Sequence, residues 1–307
     1  MQADFDVLGL GVVAIDDLLY VDSFPKPDEV RKVTHRERQC GGLTATALVA
    51  ASRLGSRCAY AGVLGEDDDS RFAIDRFREE GIDLTCLLTE KGARPIRSTI
   101  VVDDSTQTRT ILCDLDGVIG AAPNHPEESA IRSVKVLFVD NFGVGGMVRA
   151  ARIARESGIP VVGDFSFAGS PHTEELLALV DHPILSLDFA LRITSTDGPE
   201  RALDALWNGD RKTVVVTTGR EGAWVLARET NEKPRHFPAF RVETVDTTGC
   251  GDVFHGAYAS ALARGENLEN RIRFASAAAA LKSTRPGGQS GIPDRPTVEE
   301  FLKSAQP

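Results

Sequence analysis

Short apolar runs rich in β-branched residues recur along this chain with helix-patterned stretches between them, and that alternation limits its fold more than any other feature. The runs at Val7–Val13, Arg57–Val63, Val136–Asp140, Pro160–Asp164 and Thr213–Thr217 read as strands of the buried type. Helical spacing marks Leu43–Leu54, stopped by Gly55, and then Gly146–Ser157, Thr173–Val180 and Glu200–Trp207. Strands separated by helices of this length build a parallel sheet covered on both faces. The predicted class is therefore α/β, a doubly wound, mostly parallel sheet flanked by helices.

Two segments interrupt the rhythm. Leu18–Val21 and Val30–Thr34 are extended runs across a Phe24-Pro25-Lys26-Pro27 turn, and Ser98–Val102 with Arg109–Cys113 form a hairpin joined by polar Asp103–Thr108. They predict a small β-strand appendage, residues 16–38 and 96–115, on a single domain spanning 1–307. An appendage drawn from two separated segments can serve as a lid.

The 307 residues are 42% hydrophobic with a formal net charge of -10, and the basic residues are scattered. That balance disfavours nucleic acid and anionic membrane as partners and favours a small ligand. The N-terminus has no basic segment leading into an apolar stretch, and no apolar run approaches the roughly 18 residues that span a bilayer. Five cysteines, an odd number without Cys-x-x-Cys spacing, read as free thiols. The expected location is the cytoplasm.

The sharpest motif is Asp246-Thr247-Thr248-Gly249-Cys250-Gly251-Asp252, running directly into the apolar stretch Val253–Ala263. Glycines ahead of a helix leave backbone N–H groups open to an anion, and the helix dipole adds positive potential there. The N–H groups of Gly249, Cys250 and Gly251 form a candidate anion hole. Asp252, in the first turn, faces the same space and is placed to take a proton from a hydroxyl. A plain acidic helix cap would use the same residues, so the bare Gly-x-Gly-Asp is ambiguous. Cys250 stands at a helix N-terminus, where a thiolate is favoured. His255, one turn on, suggests a proton relay or, more simply, a histidine packed against a neighbouring helix. Gly9-Leu10-Gly11 does not continue into a helix as a dinucleotide fingerprint would, and no Gly-x-x-x-x-Gly-Lys-Ser/Thr string occurs.

The longer string Asp246–Asp252 resembles the Asp-Thr-x-Gly-Ala-Gly-Asp signature of PfkB (ribokinase-like) carbohydrate kinases, with Cys250 at the alanine. Cys40-Gly41-Gly42 with the helix after it, Thr217-Thr218-Gly219-Arg220-Glu221-Gly222, and Arg285-Pro286-Gly287-Gly288 are similar to three further segments of that family, in the same order. Within it, Gly11–Asp16 and Arg109–Leu112 look like ketohexokinase, and Val253–Ala257 with Thr284–Pro293 look like bacterial sulfofructose kinases.

The resemblance implies an ATP-dependent phosphotransferase acting on a hydroxyl of a sugar or sugar-like substrate, with Asp252 as catalytic base. It implies substrate contacts from Asp16, Gly41, Gly42, Leu43, Thr46 and Arg109. It places Thr217, Gly219, Gly222, Gly249, Gly251 and Gly288 along ATP, and it offers the carbonyls of Asp246 and Thr248 to a potassium-like ion. Mg²⁺ is expected with ATP. The family's Asn-x-x-Glu is absent at Ser186–Phe189, which leaves Asp164 and Asp188 as candidate magnesium ligands. Leu43 and Thr46 replace asparagines that many sugar kinases of the family carry, and Val30, Cys113 and Phe142 stand where sulfofructose kinases place cationic and amide side chains. A neutral ketose or polyol is therefore the expected substrate, with Arg31, Lys32 and Arg109 as the cations that a sulfo- or phosphosugar would need. A nucleoside kinase and a catalytically silent sugar or nucleotide sensor are the alternatives. Pairing of two copies through the lid strands is a further expectation.

Overall fold

The computed structural model describes residues 3–106, 108–166 and 170–305, without the side chain of Thr230; Gln107, in the predicted hairpin turn, lies outside the described residues. The chain opens with strands β1 (Phe5–Leu10), β2 (Ala14–Val21) and β3 (Val33–Gly41), then helix α1 (Leu43–Arg53). Short strands β4 (Cys58–Tyr60) and β5 (Val63–Leu64) precede α2 (Asp68–Glu79), and β6 (Leu88–Thr89) leads to the hairpin β7 (Ile96–Asp103) and β8 (Thr108–Asp114). The βα alternation follows: α3 (Glu128–Arg132), β9 (Val134–Val139), α4 (Val144–Glu156), β10 (Val161–Phe165), α5 (Thr173–Leu179), β11 (His182–Ser186), α6 (Leu187–Thr194), α7 (Pro199–Leu206) and β12 (Thr213–Thr217). Strands β13 (Ala223–Ala227) and β14 (Arg235–Phe237) and helices α8 (Cys250–Ala263), α9 (Leu268–Ser283) and α10 (Arg295–Ser304) complete it.

The large sheet has the order β14-β13-β12-β11-β10-β9-β1-β4, parallel from β12 to β4, with β13 and β14 added antiparallel at one edge. Successive side chains of each strand divide between two cores. Val7, Val136, Phe138 and Val215 pack with α1, α8 and α9; Leu8, Leu10, Leu137, Val139, Val214 and Val216 pack with α4 to α7. Because both faces are covered, these strands are apolar throughout instead of alternating.

A second sheet, β3-β2-β7-β8, stands apart, with β2 parallel to β7 and antiparallel to β3. The passage into it corrects the reading of Val7–Val13 as one strand. The chain leaves the large sheet after Leu10, and the turn is held by Val12 N–H on Asp140 Oδ2 (2.7 Å) and by the Tyr60 hydroxyl on the Gly11 carbonyl (2.9 Å). Arg57–Val63 likewise splits: β4 edges the large sheet, while β5 pairs with β6. Val30 lies outside any strand, 97% exposed.

Candidate active site

The candidate site gathers at the C-terminal ends of the parallel strands, the edge at which open α/β sheets bind ligands. Gly249 caps α8 with φ 72°, and a side chain there would come within 2.9 Å of the Gly288 carbonyl oxygen. Both the backbone angle and the close approach require glycine. Among the described residues no protein acceptor is bonded to the N–H groups of Gly249, Gly251 and Asp252. Cys250 N–H instead donates to the Thr247 carbonyl (3.2 Å), so the trio differs from the sequence expectation by one residue: the Asp252 amide, not that of Cys250, is open. Nothing lies within 4 Å of the space a Gly251 side chain would fill.

Burial raises the Asp252 carboxyl well above its ordinary value, and the neighbouring Asp164 carboxylate raises it further. Burial does the same to Asp164, which carries a buried oxygen, Oδ2, with no hydrogen-bond partner. His255 lies 3.4 Å from that oxygen. Its ring nitrogens meet the Gly251 carbonyl of its own helix (2.7 Å) and the Ile184 carbonyl of β11 (2.9 Å), so it joins α8 to the sheet and not to a neighbouring helix. Burial, the largest influence, lowers its pKa. A third carboxyl, Asp140, is pushed up to about 6 by burial, against hydrogen bonds from Val12, Phe142 and Thr44. It fixes the Gly11–Val12 turn from beneath.

Gly42 caps α1 with φ 97°, and a side chain there would strike the Ala14 nitrogen at 2.7 Å, so the crossing of β2 over α1 also requires glycine. Asp16 lies directly over Gly41, whose missing side chain would sit 2.3 Å from Asp16 Oδ2. Burial raises the Asp16 carboxyl, tempered by a hydrogen bond from Ser98. Leu43 and Phe142 pack with Ile119 against buried Val12, Ala14 and Ile96, giving this end of the cleft an apolar wall. Thr46 does not present a free hydroxyl: it is buried and accepts from the Gln289 amide (3.3 Å).

Arg109, on β8, crosses from the second sheet to the Asp246 loop, contacting Thr248 Oγ1 and Asp246 Oδ1 (3.3 Å). In this structure it holds the loop, and among the described residues it makes no hydrogen bond to Gly41 or Gly42. Asp246 Oδ1 also accepts from Thr248 N–H (2.8 Å) and its hydroxyl (2.6 Å), and Oδ2 accepts from Gly287 N–H (2.8 Å). Burial raises the Asp246 carboxyl, but these bonds and the nearby Lys282 charge outweigh it and leave the pKa lowered. The Asp246 carbonyl, offered to a potassium-like ion by the sequence reading, accepts from Lys282 Nζ at 3.0 Å.

Thr217, Gly219 and Gly222 form a turn at the end of β12, one strand beyond β11, with Thr218 N–H on the Gly222 carbonyl (2.8 Å). None of them is bonded to the α8 loop. Gly288 N–H donates to Gln39 Oε1 (3.0 Å), tying the loop after α9 to β3. Asp188 is exposed in the first turn of α6, and Ser186 serves as that helix's cap, its hydroxyl accepting from Phe189 N–H (3.3 Å). The Cys250 thiol, expected to ionise readily, is pushed up to about 11 because burial outweighs the pull of Lys282. Sequence reasoning missed Lys282, Asp140 and Gln39. A lysine closing the alanine-rich run Ala275–Leu281 was the available signal for the first; nothing in the sequence marks the other two.

The architecture and these segments have clear counterparts. A ribokinase from Haemophilus influenzae is 28% identical over 309 residues, covering 96% of this chain and 98% of its own. Fructokinase-1 from Oryza sativa subsp. japonica is 28% identical over 291 residues, covering 86% of this chain and 87% of its own. The crystal structure of a ribokinase from Thermotoga maritima superposes with a TM-score of 0.84 at 28% identity, covering 98% of this chain and all of that one (100%). Residues 5–295 match the family described as pfkB family carbohydrate kinase, and the chain belongs to that family of sugar kinases.

Proposed function

We propose that this kinase transfers the terminal phosphoryl group of ATP to a hydroxyl of a neutral sugar, a ketose or polyol, with Asp252 as the base. The observation that carries the reading is the start of α8: a carboxyl with a raised pKa beside three open backbone N–H groups at a helix N-terminus. A base for an alcohol needs a high proton affinity, and phosphoryl charge needs fixed donors in line with it. Asp252 removes the proton from the attacking hydroxyl, while Gly249, Gly251 and the Asp252 amide hold the oxygens of the transferred group. Asp16 and the Gly41–Gly42 backbone orient the sugar. Thr217, Gly219, Gly222 and Gly288 line the nucleotide, and the second sheet, about residues 16–38 and 96–115, acts as the lid of a single domain.

Mg²⁺ neutralises the ATP phosphates when bound, and Asp164, with its unpartnered Oδ2, is the protein oxygen suited to it. The apolar Leu43–Ile119–Phe142 wall supports a neutral substrate, and so do the ion pairs of two cations. Arg31 pairs with Glu29 and Asp22, and Arg109 with Asp246, which leaves Lys32, of the three cations named, to meet an anionic sugar. The exposed edge strand β8, with Ile111 and Leu112 open to solvent, supports pairing of two copies through the second sheet. The scattered charge and free thiols support a cytoplasmic location. ADP release measured over ketoses, aldoses, polyols, nucleosides and sugar phosphates tests the reading. Turnover confined to nucleosides, or none with any acceptor while ATP binds, would replace it with the nucleoside-kinase or sensor reading.

A further inference from the structure

Lys282 is an unusual residue to find where it is. It stands one residue from the end of α9, its side chain fully buried at 0% exposure, and its Nζ donates to the Asp246 carbonyl at 3.0 Å. A lysine is almost never buried this completely unless its charge has a task. The surroundings supply one. Val245 and Asp246 N–H both donate to the Ser283 carbonyl (2.7 and 3.0 Å), clamping the start of the Asp246–Asp252 loop to the end of the helix that carries Lys282. The ammonium therefore sits beneath the loop whose far end opens its amides toward the cleft. Burial, the strongest influence, lowers the Lys282 pKa, and the Arg109 charge adds to that; the Asp246 carboxylate and the C-terminal end of α9 oppose them and favour the ammonium.

We propose that the Lys282 ammonium is the resident cation of this loop, and that the chain consequently takes no potassium ion at the Asp246 carbonyl. A second cation on the same oxygen would lie within a few ångströms of the ammonium in a buried setting, where like charges are poorly screened. A tethered ammonium also supplies what a bound ion would: a fixed positive charge that orients the loop carbonyl and sets the direction of the amides beyond it. Lys282 is thus a positioning residue, acting on the nucleotide through the loop. The inference rests on reading the loop as the phosphate site.

The test uses the full-length chain in choline chloride and in potassium chloride of equal ionic strength. Melting temperature reads cation binding directly, and calorimetric titration with ATP-magnesium reads its consequence. For the wild type, exchanging choline for potassium should leave the melting temperature unchanged and the nucleotide Kd within about twofold. Lys282→Met should bind nucleotide about tenfold more weakly in choline, and potassium or ammonium should both raise its melting temperature and restore its affinity. A merely structural lysine would give a variant whose defect no cation mends. A wild type whose melting temperature or nucleotide affinity rises specifically with potassium overturns the proposal, as does a Lys282→Met protein indifferent to cations. If the variant does not fold, the wild-type arms alone decide. Failure of ATP to bind in every salt contradicts the kinase reading, whereas the melting-temperature arm still judges the cation.

Discussion

Replacing Asp252 by Asn should make the protein more stable and nearly inactive at once. The amide keeps the size and shape of the carboxylate but cannot accept the acceptor's proton, so turnover should fall on the order of 10²- to 10⁴-fold, with ATP binding largely retained. The stability change follows from the raised pKa. A carboxyl whose folded-state pKa exceeds its ordinary 3.8 contributes stability below that value and loses it as pH rises through the folded pKa. At pH 8 each unit of that elevation costs the wild type about 1.4 kcal/mol. Unfolding entropy of about 2.1 cal/mol/K per residue makes one such unit worth about 2 °C in a chain this long. Asp252→Asn should therefore melt at least about 2 °C above wild type at pH 8, with the gap closing toward pH 4. Scanning calorimetry over that range, with steady-state ADP release on the same samples, gives both numbers. A variant that melts below wild type at pH 8, or keeps turnover within about threefold, would refute the placing of a strained base at the start of α8.

Three further outcomes follow from the same geometry. The acidic limb of kcat/KM should lie well above the ordinary aspartate range, because Asp252 must lose its proton before it can accept one; a rate that is flat down to pH 5 contradicts this. Alkylation of Cys250, its thiol pushed up to about 11, should be slow at neutral pH, quicken with rising pH and be blocked by ATP-magnesium, with peptide mapping locating the label. Arg109→Ala removes the bridge from β8 to Asp246 and Thr248 and should weaken ATP or sugar saturation several-fold with the melting temperature unchanged; equal KM values in variant and wild type would leave the bridge without a role.

Much of this was legible from residue order. The buried strands announced themselves because both faces are covered, and the string Asp246–Asp252 located the helix start and its carboxyl. What the sequence hid was set by tertiary partners. Val12 and Val13 look like strand, yet Asp140, remote in sequence, captures the Val12 amide and turns the chain out of the sheet. His35–Gln39 is polar and carries no strand signal, but it pairs with β2 in a sheet exposed enough to tolerate charge on either face. The helix at Asp68–Glu79 is mostly charged, and its few apolar contacts gave little periodicity to read. Helix dipole alone favoured a thiolate at Cys250; burial, invisible in a motif, reversed the direction. Lys282 was read past for the same reason, since only the folded chain puts its ammonium beneath the Asp246 carbonyl.

The central claim, phosphoryl transfer from ATP to a neutral sugar by Asp252, is tested most directly by following both products of one reaction. Wild-type protein with ATP-magnesium and competing fructose, sulfofructose and fructose 6-phosphate should form ADP and phosphorylated fructose in equal amounts. Preference for the neutral sugar should reach at least about tenfold in kcat/KM, which takes only about 1.4 kcal/mol of differential transition-state binding. Asp252→Asn should form neither product at a comparable rate. ADP formed without a phosphorylated sugar, or a clear preference for either anionic sugar, would contradict the account.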